Sequence, residues 1–214
     1  FVAQNCTVSI AHVQIVCDTD AGAGFAHLWN VEIGGQFNIP ATTGYDQPII
    51  TSISGPGSTE ADTIGNQSVI LHGANFGPPG LPRAAGGASF LEYVKYGATG
   101  SEYTARDCMV LSHNTIRCTT VPGVGTRNIW QVKVAGQVND YATSPGTGYA
   151  VPVCSVILDI PGPLSDRGTW PTNPDVASDQ IELRCVHTGL SDMSSTERYV
   201  RYSIGGYERH IDLE

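Results

Sequence analysis

The 214-residue chain is long enough for one large or two small domains, each able to bury a core. Only 14% of its residues are charged, the net charge is −9, and its 11 Lys and Arg are dispersed, which excludes the clustered basic footprint that nucleic-acid phosphates require. Polarity is carried by Thr, Ser, Asn, Gln and Gly, and with 25 Gly and 13 Pro the composition suits an extracellular, turn-rich β-protein.

The chain begins at Phe1, without Met and without a signal-peptide pattern, and reads as a mature product or a piece of a longer chain. No apolar run reaches the ~18 residues of a membrane span, so no direct membrane insertion is expected of this segment. The first element, "CTVSIAHVQIVC" at 6–17, is an apolar alternating hairpin between two cysteines. "NVEIGG" (30–35), preceded by Trp29, reads as a strand. "PIITSIS" (48–54), "SVILHG" (68–73) and "FLEYVKYG" (90–97) follow, rich in β-branched and aromatic residues. Between the last two, "GPPGLPRAAGGAS" (77–89) is the longest irregular stretch and reads as a loop. "CMVLS" (108–112), "TIRCTT" (115–120) and "IWQVKVAG" (129–136) are further strands, and no stretch carries a convincing helical period. Six or seven short strands per hundred residues predict an all-β class built as sandwiches.

The chain repeats itself. Cys17, His12, Trp29, "GAG" (22–24) and "GQFN" (35–38) fall on Cys118, His113, Trp130, "GVG" (123–125) and "GQVN" (136–139) at one offset of 101. The match loosens but continues: "GYDQP" (44–48) with "GYAVP" (148–152), "ISGP" (53–56) with "IPGP" (160–163), "VILHGANFG" (69–77) with "IELRCVHTG" (181–189), and "YVKY" (93–96) with "YVRY" (199–202). The drifting offsets reflect small loop insertions. The chain therefore reads as two copies of a unit of about 107 residues.

"PIITSISGPGSTEADTIGNQSVILHGANFGPPG", then "CMVLSHNTIRC", then "VPGVGTRNIWQVKVAGQ", together resemble an IPT/TIG domain, the immunoglobulin-like module of plexins and transcription factors. The resemblance implies tandem immunoglobulin-like β-sandwiches in a rotated register. Residues 1–46 match the C-terminal half of such a sandwich, 47–147 a complete one, and 148–214 the N-terminal half of a further one. The last half departs from the pattern, with Cys185 where Gly73 stands and "CVHTGL" in place of "GANFG".

None of the six cysteines sits in a CxxC pair, which argues against zinc and for disulfides in an oxidising compartment; free buried thiols are the alternative. Pairing Cys6 with Cys17 and Cys108 with Cys118 would clamp neighbouring strands and add roughly 2–4 kcal/mol. Cys154 and Cys185 have counterparts near Gln47 and at Gly73 that are both non-cysteine, so they are expected to pair with each other. Sequons at Asn5 ("NCT") and Asn66 ("NQS") imply N-linked glycans and agree with secretion.

No residue set points to catalysis, a cofactor or a metal. His12 and His113 occupy matching places near a hairpin tip and lack an accompanying nucleophile and acid, so they read as turn residues. Trp29 and Trp130 read as packing residues at a sheet end, with an aromatic sugar platform as the alternative. "DTD" at 18–20 carries oxygen ligands suited to calcium, but its copy is "TTV", so turn formation is the favoured reading. The expected function is a non-enzymatic structural repeat protein of an extracellular fibre, filament or stalk. Its expected partners are copies of itself or adjoining repeats of the same chain, head to tail. The alternatives are a receptor or adhesion ectodomain for a protein or glycan ligand, and an accessory module of a secreted enzyme. Extracellular or cell-surface placement follows from the cysteines and sequons.

Overall fold

A computed structural model describes residues 1–80, 90–157, 182–189, 199–204 and 207–212. Among them every regular element is a strand except one 3-10 turn, Tyr141–Thr143, so the chain is all-β. Most of the expected 77–89 loop, residues 81–89, lies outside the described residues, as do "IPGP" (160–163) and Ile181.

The first part holds β1 (Gln4–Ile10), β2 (Gln14–Asp18), β3 (His27–Trp29), β4 (Glu32–Ile33), β5 (Gln36–Phe37) and β6 (Ala41–Thr43). They form three separate two-stranded ladders, β1–β2, β3–β6 and β4–β5. The middle part holds β7 (Ile49–Ser54), β8 (Ser68–Ala74), β9 (Leu91–Gly97), β10 (Tyr103–Thr104), β11 (Arg106–Ser112), β12 (Thr115–Thr119), β13 (Asn128–Val134), β14 (Gln137–Val138) and β15 (Gly146–Thr147). One sheet is ordered β11-β12-β8-β7; the other is β10-β9-β13-β14, with β15 also on β13. The last part holds β16 (Val153–Ile157), β17 (Glu182–Val186), β18 (Tyr199–Ile204) and β19 (Tyr207–Asp212), paired only as β16–β17 and β18–β19.

The core lies between the two middle sheets. β13, "NIWQVKV", buries Asn128, Trp130, Val132 and Val134 and turns Ile129, Gln131 and Lys133 outward, the two-residue alternation of a strand with one face on a core. Val69 and Leu71 of β8, Val94 and Tyr96 of β9, and Ile116 and Cys118 of β12 complete the interior. Trp130 stacks on Tyr96 with ring centroids 4.3 Å apart and an interplanar angle of 9°. The sequence reading placed Trp130 ahead of its strand at a sheet end. It lies instead within β13 and is fully buried, because the strand begins at Asn128, which has apolar neighbours on both sides.

The hairpin β13–β14 turns through Ala135 and Gly136, with φ of 47° and 83°. Two left-handed residues match the twist of a two-residue hairpin, which only small or glycine residues adopt cheaply. Gly34 and Gly35 repeat this between β4 and β5, with φ of 58° and 80°.

Candidate assembly surface

The structure joins Cys6 to Cys17 across β1–β2, Cys108 to Cys118 across β11–β12, and Cys154 to Cys185 across β16–β17. Among the described residues no cysteine is free, which fits an oxidising compartment. Cys154 faces Cys185 directly in register, as Ile50 faces Gly73 in β7–β8. The counterpart of Cys154 is therefore Ile50, not a residue near Gln47, because the 104-residue offset of "GYDQP" and "GYAVP" runs on into the strand. A Cβ at Gly73 would come within 1.8 Å of the Ile49 carbonyl oxygen, so the apolar pair leaves no room for a side chain there. The second version replaces that close approach with a covalent bond.

Asn5 and Asn66 are both exposed, with left-handed φ of 50° and 61°. The Asn5 amide donates to Asp18 Oδ2 at 2.9 Å, and Asn66 Oδ1 accepts from Arg106 Nη2 at 3.0 Å. His12 sits in the β1–β2 turn, and the His113 carbonyl, in the β11–β12 turn, accepts from Phe76 N at 3.0 Å. In "DTD", Asp18 is bound to Asn5 and Asp20 Oδ1 accepts from Ala21 N. Among the described residues no group of three or more His, Cys, Asp or Glu could hold a metal ion, and no helix is long and apolar enough to cross a membrane.

The two copies share more than sequence. Trp130 Nε1 donates to Thr147 Oγ1 at 2.9 Å, and Trp29 Nε1 to Thr43 Oγ1 at 2.7 Å. Asn139 Oδ1 accepts from Val132 N and its amide donates to the Trp130 carbonyl; Asn38 does both for Val31 and Trp29. Tyr149 Oη donates to the Val121 carbonyl, and Tyr45 Oη to the Asp20 carbonyl. The ladder pairs Lys133–Val138 and Val134–Gln137 recur as Glu32–Phe37 and Ile33–Gln36. In the last part, Tyr202–Arg209 and Arg201–His210 repeat the Tyr96–Tyr103 and Lys95–Thr104 pairs. The first part thus carries the strands equivalent to β11–β15, and the last part those equivalent to β7–β10. Each has what the other lacks. The asparagine and tyrosine networks were missed in the sequence reading, although "GQFN"/"GQVN" and "GY"/"GY" carried their signal.

Two ladders of the middle part have no counterpart among the described residues. β12 pairs with β8, but β2 pairs only with β1; β13 pairs with β9, but β3 pairs only with β6. Lacking that second partner, the equivalent of β13 is broken into β3 and β4. The apolar face pays the same penalty in exposure. Ile116 and Val134 are 0% and 1% exposed, whereas their counterparts Ile15 and Ile33 are 43% and 64% exposed. Open strand edges beside an exposed apolar face are the features of a surface that pairs with another segment.

The two ends of the middle part differ in what they hold. At the far end of β13, Phe25 packs on Gly136 and Gln137 Nε2 donates to the Tyr45 carbonyl. At its near end, Ala61 exchanges hydrogen bonds with Gly148 and Ala150, and His187 Nδ1 lies 3.8 Å from Asp62 Oδ1. The incomplete parts therefore flank opposite ends of a strand about 20 Å long.

The edge of the middle sheet carries an ion pair, Lys133 Nζ to Glu92 Oε2 at 2.8 Å, with the Gly136 N–H donating to Glu92 Oε1. The hydrogen bond from Lys133 is the main cause holding the Glu92 carboxyl below its ordinary range, and the same bond raises the Lys133 ammonium. Inside, burial pushes the Tyr96 and Tyr149 phenols up; their hydroxyls lie 2.7 Å apart.

No family model, no curated protein and no solved structure matches the chain.

Proposed function

We propose that the chain is a non-enzymatic structural unit of an extracellular fibre, filament or stalk, built of IPT/TIG-like immunoglobulin-type sandwiches in tandem. Residues 47–147 supply one complete sandwich; residues 1–46 and 148–214 supply the closing and opening halves of others. Neighbouring units stack head to tail, each opening half completing the closing half of the next. N-linked glycans at Asn5 and Asn66 coat the outside. The observation that carries this reading is the complementarity of the two terminal parts: strands equivalent to β11–β15 at one end, to β7–β10 at the other, with the two joining ladders unmade. Such a contact is heterologous and does not close on itself, so it propagates as a linear array, by strand addition at a sheet edge.

The test is the state of the purified, oxidised chain. Light scattering over a concentration series and negative-stain electron microscopy should show unbranched polymers one sandwich wide. A monodisperse 23-kDa particle at every concentration would refute the reading.

A further inference from the structure

Resting on that reading, we propose that the segment seated on residues 4–45 is residues 153–212 of a second copy of this chain, in one fixed register, and that a reversed ion pair makes this seam reject the halves of the middle sandwich.

The register comes from the ladders already made. In the middle part Ile116 pairs with Leu71 and Arg117 with Ile70; Trp130 pairs with Tyr96, Gln131 with Lys95 and Val132 with Val94. Carried over by the repeat, these become Ile15 with Leu183 and Val16 with Glu182, then Trp29 with Tyr202, Asn30 with Arg201 and Val31 with Val200. Every core position keeps its type: Leu183, Val200 and Tyr202 stand where Leu71, Val94 and Tyr96 stand. The seam restores both missing ladders at once, giving sheets ordered β1-β2-β17-β16 and β19-β18-β3/β4-β5. Closure within one molecule is barred because the two parts sit at opposite ends of β13.

The identity of the occupant comes from charge. Lys133 and Glu92 form an ion pair in the middle part. At the same repeat positions the terminal parts carry Glu32 and Arg198, with the signs exchanged. Arg198 immediately precedes β18 and lies outside the described residues, so its place follows from the count to Tyr199 alone. Each cognate combination, Glu92 with Lys133 and Arg198 with Glu32, is attractive. Each crossed combination, Glu92 with Glu32 or Arg198 with Lys133, sets like charges together. Two changes that compensate each other within one sequence point to a partner of that same sequence, and they act as a repulsive element against the wrong half. Arg117 opposite Glu182 would soften one crossed combination, so the acidic clash carries most of the discrimination.

The experiment uses the full oxidised chain, whose described cysteines are all paired. Asn30→Cys with Arg201→Cys places two new thiols opposite one another across the seam on its outer face. Mild oxidation should convert the chain into a ladder of covalent oligomers on a non-reducing gel. The control Asn30→Cys with Ser203→Cys, shifted by two residues, should cross-link about fivefold less, since a disulfide tolerates little extra separation. Glu32→Arg should raise the concentration for half-assembly about fivefold, and adding Arg198→Glu should restore it. Polymers that cross-link preferentially through the shifted pair, or a Glu32→Arg defect that Arg198→Glu fails to rescue, overturn this inference and leave the fibre reading intact. A chain that stays monomeric overturns both.

Discussion

Ile15 and Ile116 occupy the same place in the two copies, yet the same substitution should have different consequences at each. Ile116 is 0% exposed in a closed core. Replacing it with Ala leaves a cavity and costs about 2–5 kcal/mol of folding stability. Ile15 is 43% exposed in the single chain, so more than half of its surface is already covered. Full burial of an isoleucine is worth about 1.5–3 kcal/mol, and Ile15→Ala therefore removes at most about 1–2 kcal/mol from the chain's own fold. Once the seam closes, Ile15 becomes the equal of Ile116, and alanine there costs the full core value. The difference, about 1–3 kcal/mol, falls on association and raises the half-assembly concentration roughly five- to hundredfold. Near-ultraviolet circular dichroism on dilute protein measures the first effect, and sedimentation velocity over a concentration series measures the second. If Ile15→Ala lowers the unfolding temperature as much as Ile116→Ala does, or leaves association unchanged, the reasoning fails.

Trp130→Ala should cost about 3–5 kcal/mol in a denaturant titration and leave little folded middle part, because Trp130 is fully buried and stacked on Tyr96. In a Trp130→Phe background the emission of half-buried Trp29 should shift to the blue as protein concentration rises; an emission independent of concentration counts against burial at the seam. Replacing both Cys108 and Cys118 with Ala should lower stability by about 2–4 kcal/mol, read from the denaturation midpoint. Burial first, then the hydrogen bond with Tyr96, raises the Tyr149 phenol far above its ordinary value. A raised folded pKa means that this contribution is complete below about pH 10 and is lost as pH rises beyond it, since only the unfolded chain ionises there. Tyr149→Phe should flatten the alkaline fall in unfolding temperature, and an unchanged slope would show that other groups govern it.

The repeat was legible because its turns and networks demand particular residues. A two-residue hairpin with both φ positive needs Gly34 and Gly35 in one copy and Ala135 and Gly136 in the other. The backbone groups flanking Trp29 and Trp130 are satisfied only by an amide side chain, Asn38 or Asn139. The all-β class was legible for the same reason, in strands such as "NIWQVKV" that alternate cleanly. The places of Trp130 and of the Cys154 counterpart were less so. Both depend on where a strand begins, which is set by a partner strand distant in sequence and not by local composition. Exposure was not legible at all. "CTVSIAHVQIVC" and "CMVLSHNTIRC" look alike as strings, but one lies against a second sheet strand and the other does not.

That last difference bears on why such a chain would be cut through its sandwiches and not between them. A sandwich complete in itself presents only a polar end to its neighbour, and contacts between such ends are small and weak. A seam placed inside the sandwich puts the whole core at the junction: two ladders, a stacked tryptophan and the buried isoleucines all form at once or not at all. The open edges carry a hazard, because any exposed strand can pair with the wrong one, and the middle sandwich offers near-identical strands at high local concentration. The sign exchange between the Glu92–Lys133 and Arg198–Glu32 positions opposes that error where it would be easiest to make, at the rim beside the β9 and β13 equivalents. The contact at Phe25 and Gly136 then places the next sandwich end to end with the last, and because the two incomplete parts stand at opposite ends of β13, each addition regenerates the surface that accepts the next.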